Sequence, residues 1–273
     1  MPRRQFLFRL LPLAGLVLCL QGCTLARAGY VYYRDPAALP RVSATVPIYA
    51  EAGAEGIAAT LEAALPDSLH RVEATHGSRI DHPPTLVVCA TTACYGHYAA
   101  IPASAAETLK DRRITINGAL ILKGERDAVK LLTHELSHYY WYAQGILFQP
   151  RWFEEGMGVW VSDGGGAEKA SVEAAEQAIL SGSMIETPLD SGLWAFLTQT
   201  PAAPDNNWYQ YYRQSGMFVQ YLHDTDPEAF SALLAALRQH HSLRTAWSAT
   251  YADSPETLWA RLVDDIRRRQ PRG

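Results

Sequence analysis

The sequence predicts an α+β fold, in which a small N-terminal mixed sheet with a helix packed on it is followed by a mainly helical half. Short runs rich in β-branched residues occur before residue 122, whereas patterns with the helical period occupy the chain after Gly124. Hydrophobic residues make up 48% and charged residues 19% of the chain, which is typical of a globular protein and not of a disordered one. The 273 residues suffice for one sizeable domain, which we assign to 46–270.

The first half is predicted to contain short strands and one helix. Runs of β-formers predict strands at 46–49, 86–88, 114–116 and 119–122, and an apolar repeat at helical spacing predicts a helix at 56–73. The last two strands should form a hairpin, because Asn117-Gly118 between them is a strong signal for a tight turn. The strand 114–116 either binds an extended peptide by strand addition or is an ordinary inner strand.

The second half is predicted to be helical throughout. Apolar periodicity and terminal signals predict helices at 127–143, 152–161, 171–180, 208–222, 227–239 and 255–268. The start of the last helix has the clearest signal, since Ser254 can cap it and Pro255 suits its first position.

The first two dozen residues resemble a bacterial lipoprotein export signal. Three arginines precede an apolar run, 10–20, that is short for a membrane span. The run ends in Leu20-Gln21-Gly22-Cys23, which resembles a lipobox with Cys23 as the acceptor of the lipid. We therefore expect 1–22 to be a signal peptide, and 23–45 to be a tether that joins the domain to the membrane.

Alternatives to this lipoprotein interpretation are an ordinary signal peptide and an uncleaved anchor, with Cys23 incidental in both. The pair Arg3-Arg4 also leaves the twin-arginine export route open beside the general one. The predicted location is the bacterial cell envelope, lipid-anchored and facing the periplasm.

The charge of the chain argues against nucleic acid as a partner. Three of the 24 basic residues and none of the 28 acidic residues lie in 1–22, so the chain from Cys23 onward has 21 basic and 28 acidic residues. A chain this acidic lacks the positive surface that binds phosphate backbones.

Two cysteines, Cys89 and Cys94, remain in the predicted domain. An even pair of cysteines in an oxidising compartment predicts a disulfide that closes a short loop. A zinc site is the alternative, although two thiols without a second pair nearby make a poor one.

The segment His134-Glu135-Leu136-Ser137-His138 is the strongest chemical signal in the chain. Positions i and i+4 of a helix lie on the same face, so His134 and His138 can bind one zinc ion. Glu135 lies beside them, where a carboxylate can take a proton from an attacking water. The segment falls within a predicted helix, and we expect Val129, Leu131, Leu132 and Leu136 to bury one side of that helix.

A catalytic zinc ion needs a third protein ligand and an open position. The next predicted helix offers Glu154 and Glu155, and no further histidine motif follows His138 of the kind that three-histidine enzymes have. Acidic residues in the first turn of a helix are also favourable with the helix dipole alone. From the residues by themselves, either glutamate can be the ligand.

Four strings extend the similarity beyond the two histidines. They are His134-Glu135-Leu136-Ser137-His138, Pro150-Arg151-Trp152-Phe153-Glu154-Glu155-Gly156-Met157, Ser162-Asp163-Gly164-Gly165-Gly166-Ala167-Glu168 and Tyr212-Arg213-Gln214-Ser215-Gly216-Met217-Phe218-Val219. On these motifs, most of 46–265 resembles the peptidase MA-like bacterial lipoproteins and, more distantly, the aminopeptidase N-like and thermolysin-like gluzincins. The glycine-rich exopeptidase motif of the aminopeptidases is not found in the sequence.

The resemblance implies a function and a role for each site residue. It implies a zinc metallopeptidase acting on a peptide or protein substrate, with Glu155 as third ligand and Glu135 as general base. It also implies an oxyanion-stabilising tyrosine or histidine, for which Tyr212 matches the family position best. The alternative for Tyr212 is a packing role, because Tyr211, Phe218 and Leu222 on the same helix have the spacing of core residues.

Two other functions stay open at this point. The zinc fold can serve as a binding or scaffolding module, or as a zinc hydrolase that acts on non-peptide bonds of the cell wall. A glutamate in the position of Glu135 favours an active hydrolase, because a scaffold has no need of a base.

Overall fold

The prediction of an α+β fold is confirmed in a computed structural model, which describes residues 27, 29–109, 113–198 and 207–270. The expected signal peptide, 1–22, and the lipid acceptor Cys23 lie outside the described residues. None of the described helices is both long and apolar enough to cross a membrane.

The sheet has four strands in the order β1-β2-β4-β3. The strands are β1 (Ile48–Ala50), β2 (Thr85–Cys89), β3 (Ala106–Leu109) and β4 (Arg113–Asn117). Strands β1, β2 and β4 run parallel, and β3 pairs antiparallel with β4 at the edge. The sheet is therefore mixed, as predicted, although β3 was not among the predicted strands.

Eleven α-helices follow strand β1 in the described part of the chain. They are α1 (Glu55–His76), α2 (Thr92–Tyr98), α3 (Gly118–Leu122), α4 (Ala128–Ala143), α5 (Arg151–Val161), α6 (Val172–Leu180), α7 (Leu193–Thr198), α8 (Trp208–Thr225), α9 (Pro227–His240), α10 (Leu243–Thr250) and α11 (Pro255–Arg269). Every helix predicted from the sequence is present, with ends that differ by at most three residues. The short helices α2, α3, α7 and α10 were not predicted.

The two faces of the sheet carry different layers. Ile114 and Ile116 of β4 belong to the main core, to which α1, α4 and the later helices contribute. Val87 of β2 faces the other way, into a small cluster with Tyr95 of α2. A disulfide joins Cys89 at the end of β2 to Cys94 in α2, so neither sulfur is free to act as a thiolate ligand.

The predicted hairpin at 114–122 is wrong. Strand β4 ends at Asn117, and Gly118 begins helix α3 instead of turning the chain back. A type I′ turn needs positive φ at both central residues, and neither Asn117 nor Gly118 has it. Gly118 serves close packing, since a Cβ there would lie 2.5 Å from the carbonyl oxygen of Cys89. Strand addition at 114–116 is also excluded, because β4 is an inner strand, paired with β2 on one side and with β3 on the other.

The described part of the expected tether lies against the domain. Val31 is fully buried, and Leu39 packs on the cluster around α2. Arg41 forms an isolated antiparallel β-bridge, through its backbone, with Tyr49 of β1. Residues 29–45 therefore contribute to the folded body.

A buried histidine at the end of α1 makes stability depend on pH. His76 Nδ1 donates to the carbonyl of Val72, and Ser137 Oγ lies 3.0 Å from Nε2. Burial lowers the pKa of His76 to about 3. Because the unfolded state binds a proton near pH 6.5 and the folded state does not, this contribution is complete above pH 6.5 and is lost as pH falls towards 3.

We expect the free energy of unfolding to fall by about 2 kcal/mol through His76 between pH 7 and pH 5. His76→Gln should be less stable at pH 7 but lose less on acidification. Denaturant unfolding at both pH values measures the effect, with metal removed from every protein. The exposed His70 of the same helix provides a matched control, since His70→Gln should show the same pH dependence of unfolding as the parent chain. Equal pH slopes for the parent and His76→Gln would contradict the assignment.

Candidate metal centre

Helix α4 presents His134 and His138 on one buried side. Asp127 caps the start of the helix, and its carboxylate accepts hydrogen bonds from the backbone N–H groups of Val129 and Lys130. Most of the expected apolar side is buried, namely Leu131, Leu132 and Leu136, but Val129 is exposed. Burial of this side packs the helix into the core and directs the histidines towards α5.

The side chains of His134, His138 and Glu155 converge on one point. The Nε2 atoms of the two histidines are 3.1 Å apart. Glu155 Oε2 lies 3.2 Å from the Nε2 of His134 and 3.6 Å from that of His138. Ligands about 2.0 Å from a tetrahedral zinc ion lie about 3.3 Å from one another. The three donor atoms thus have the spacing of three corners of a zinc tetrahedron, and the residues fit the metal.

The charges of this cluster favour a cation at its centre. Burial opposes the charged form of His138, but the Glu155 carboxylate outweighs it and raises the pKa of His138 to about 9. Burial likewise opposes ionisation of Glu155, but the imidazoles of His134 and His138 beside it hold its pKa below the usual range. Glu155 is therefore an anion beside two imidazoles, and a divalent cation that binds there displaces the proton that His138 otherwise holds.

Glu154 has a different environment from its neighbour. Its Oε1 accepts the backbone N–H of Gln149 at 2.9 Å, and burial raises its pKa to about 7. Adjacent helical residues point about 100° apart, so only one of the two carboxylates reaches the histidines. That carboxylate belongs to Glu155.

A glycine-rich loop after α5 orients His134. The carbonyl of Gly165 accepts the Nδ1 hydrogen of His134 at 2.9 Å, which leaves the Nε2 lone pair directed at the cluster. Arg213 of α8 holds this loop through the carbonyls of Ala167 and Ala170. Sequence reasoning missed these supports, although the glycine run and Arg213 lie within the strings that carry the gluzincin resemblance.

Glycines also make room for the imidazole of His134. A Cβ at Gly158 would lie 2.7–2.9 Å from three atoms of the ring, and one at Gly166 would lie 3.0 Å from it. Gly166 has a φ of 81°, a conformation that favours glycine. The ring therefore occupies space that any other residue at these positions would fill.

Gly158→Ala should displace His134 and weaken zinc binding by about 10–100-fold, as loss of a support around a metal ligand does. Competition with a chromogenic chelator measures the affinity. Gly56→Ala is the matched control, because Gly56 lies in a different helix, α1, and a Cβ there would have no atom within 4 Å. Unchanged zinc affinity in Gly158→Ala, with thermal stability also unchanged, would contradict this packing.

Tyr212 lies at the same centre. Its ring is stacked near that of His134, with centroids 6.3 Å apart. Burial raises the pKa of Tyr212 well above its usual value, so the hydroxyl keeps its proton and can donate. Tyr211, Phe218 and Leu222 of the same helix are buried in the core, as their spacing predicts.

A hydroxyl group of the sheet hydrogen-bonds to the carboxylate of Glu135. Thr108 of the edge strand β3 places its hydroxyl 2.6 Å from Glu135 Oε2, as donor to the carboxylate. Only 6% of Glu135 is exposed, so this bond orients a nearly buried group. Thr108 was missed because β3 is short and has no strong strand pattern in the sequence.

Comparison with known proteins identifies no relative. No protein-family model matches the chain, and neither a curated protein nor a solved structure is significantly similar to it. The gluzincin resemblance therefore depends on its motifs, and the activity it implies is a proposal.

Proposed function

We propose that this chain is a zinc-dependent hydrolase. The observation that carries the proposal is the cluster of His134, His138 and Glu155, whose donor atoms lie 3.1–3.6 Å apart. Three protein ligands leave a fourth position for a water or a substrate, which distinguishes catalytic from structural zinc sites. Glu135 on the same helix provides the carboxylate that such hydrolysis needs as a base.

Within that class, we propose a metallopeptidase of the gluzincin type, lipid-anchored through Cys23 in the bacterial cell envelope. The basic and apolar export signal and the cysteine that ends it support this location. The four strings shared with the peptidase MA-like lipoproteins support the peptidase activity.

Each residue has a distinct part in peptide hydrolysis. Zinc, when bound, acts as a Lewis acid that activates water and polarises the carbonyl. Glu135 takes a proton from the attacking water and returns it to the amine that leaves as the C–N bond breaks. Thr108 holds the Glu135 carboxylate in one orientation. The hydroxyl of Tyr212 donates a hydrogen bond to the carbonyl oxygen of the substrate, which becomes negatively charged during the attack.

The edge strand beside α4 suits an extended substrate. Strand β3 pairs with β4 on one side, and the described residues include no strand on its other side. Thr108 links this strand directly to Glu135. A peptide added along β3 would therefore pass the base with its backbone hydrogen-bonded to the strand.

Cleavage of a peptide library by the purified chain tests the proposal. We expect mass spectrometry to detect cleaved bonds, a chelator to abolish cleavage, and zinc to restore it. Isolated cell-wall sacculi are incubated in parallel. Release of sugar fragments from the sacculi without peptide cleavage would replace the peptidase by a cell-wall hydrolase. Zinc binding with no hydrolysis of either substrate would indicate a binding module.

A further inference from the structure

The first described residue, Arg27, is anchored on the domain. Its guanidinium donates to three carbonyl oxygens at the end of α2, those of Gly96 at 2.6 Å, Ala100 at 3.1 Å and Ala99 at 3.3 Å. A cation at a helix C-terminus meets both unpaired carbonyls and the negative end of the helix dipole. Arg27 is therefore held in place by charge-assisted hydrogen bonds.

The chain that follows Arg27 is held as firmly. Arg113, which is 2% exposed, donates to the carbonyls of Val31 at 2.8 Å and Arg34 at 2.7 Å. Val31 itself is fully buried. A buried guanidinium needs these acceptors, because an unpaired buried charge is costly. The segment after the lipid acceptor is thus attached to the domain almost from its start.

This attachment limits the distance between the domain and the lipid. Cys23 precedes Arg27 by four residues, and four residues span at most about 14 Å even when fully extended. A lipid on Cys23 inserts into the bilayer at that point. The surface around Arg27 must then lie close to the lipid headgroups, whatever path the four residues take.

The same surface exposes aromatic and apolar side chains. Tyr30 and Tyr32 are about half exposed and Tyr33 is 85% exposed, while Ile101 follows the Ala100 carbonyl that binds Arg27 and is 52% exposed. The guanidinium of Arg34 lies 4.5 Å from the Tyr30 ring centre. Tyrosines are enriched where proteins meet the headgroup layer, because the ring is apolar and the hydroxyl is polar.

We propose that this surface, formed by Arg27, residues 29–34 and Ile101 and called here the anchor face, rests on the phospholipid headgroup layer and fixes the orientation of the domain. The inference depends on the lipid anchor of the proposed function. In place of the tether predicted at 23–45, the domain would have a short attachment, with one of its faces turned to the membrane.

The sheet separates the anchor face from the metal centre. Arg113 and Thr115 of β4 point to the face that carries α2 and the anchored segment, because Thr115 Oγ1 donates to a carbonyl of α2 and alternate residues share a face. Ile114 points the other way, and its partner Thr108 reaches Glu135 there. The metal centre therefore stays open to the periplasmic side while the anchor face meets lipid.

Photocrosslinking of the lipidated full-length chain tests this orientation. The chain is reconstituted in vesicles of phosphatidylethanolamine and phosphatidylglycerol that contain a diazirine phospholipid, and labelled peptides are mapped by mass spectrometry. We expect labelling of 29–34 and of the peptide around Ile101 to exceed that of α8 and α9 several-fold. The double variant Tyr32→Ser, Tyr33→Ser should reduce that labelling, whereas Trp194→Ser, a change of a 78% exposed aromatic on α7, should not.

Intact mass separates the two ways in which the proposal can fail. A chain without lipid on Cys23 would overturn the anchor of the proposed function and this inference with it. A chain with lipid on Cys23, but with labels spread evenly or concentrated on α8 and α9, would overturn the orientation and leave the anchor intact.

Discussion

Glu135→Gln is expected to keep its zinc, whereas its turnover number should fall by a factor of at least about 10²–10⁴. The reason is that an amide cannot accept the proton of the attacking water. The change preserves the size of the side chain and both histidine ligands. It also preserves an oxygen that can accept the Thr108 hydroxyl, so the side chain should keep its position. Binding of zinc and loss of hydrolysis would thus be separated in one protein.

Zinc content by elemental analysis and the rate of peptide cleavage measure the two effects together. Glu125→Gln supplies the matched control, since Glu125 is an exposed acid outside the metal centre and its change should leave both quantities unaltered. If Glu135→Gln retained the cleavage rate of the parent chain, another group would have to act as the base.

Glu155→Ala is expected to lose zinc affinity and hydrolysis together. Glu155 supplies the only carboxylate oxygen of the three donor atoms, within 3.2–3.6 Å of both histidine nitrogens. Its removal leaves two neutral ligands, too few to hold a catalytic zinc ion. Glu154→Gln, one residue away, should keep zinc, because Glu154 faces the Gln149 backbone instead and an amide oxygen can still accept that N–H.

Competition with a chromogenic chelator measures zinc affinity in both variants, and circular dichroism establishes that each is folded. The comparison is sharp because the two residues are adjacent and have the same chemistry. A Glu154 variant that loses its metal while the Glu155 variant keeps it would reverse the ligand assignment.

The local parts of this structure were predictable because their causes are local. Helix α4 could be recognised from its apolar repeat, and the i, i+4 spacing of His134 and His138 places both on one face in any helix. The capping residues Asp127 and Ser254 also hydrogen-bond to backbone N–H groups only two or three residues further along the chain. The mainly helical second half followed from the same periodicity.

Other parts depend on residues distant in sequence. The short strand β3 is ordered by its pairing with β4, and without it Thr108 could not be connected with Glu135. The Asn117-Gly118 pair carries a turn signal, yet the approach of Gly118 to the end of β2 decides that the chain enters a helix. Sequence patterns contain neither contact.

The sequence by itself determined that two histidines and a glutamate occupy a buried helix, and that an acidic pair follows on the next. Only the tertiary structure decided between Glu154 and Glu155, because the rotation of α5 against α4 sets which carboxylate meets the imidazoles. It also decided that Gly165 orients His134 from a loop 31 residues later in the chain. A helix period specifies one face of a helix, whereas the partner of that face depends on how separate elements pack together.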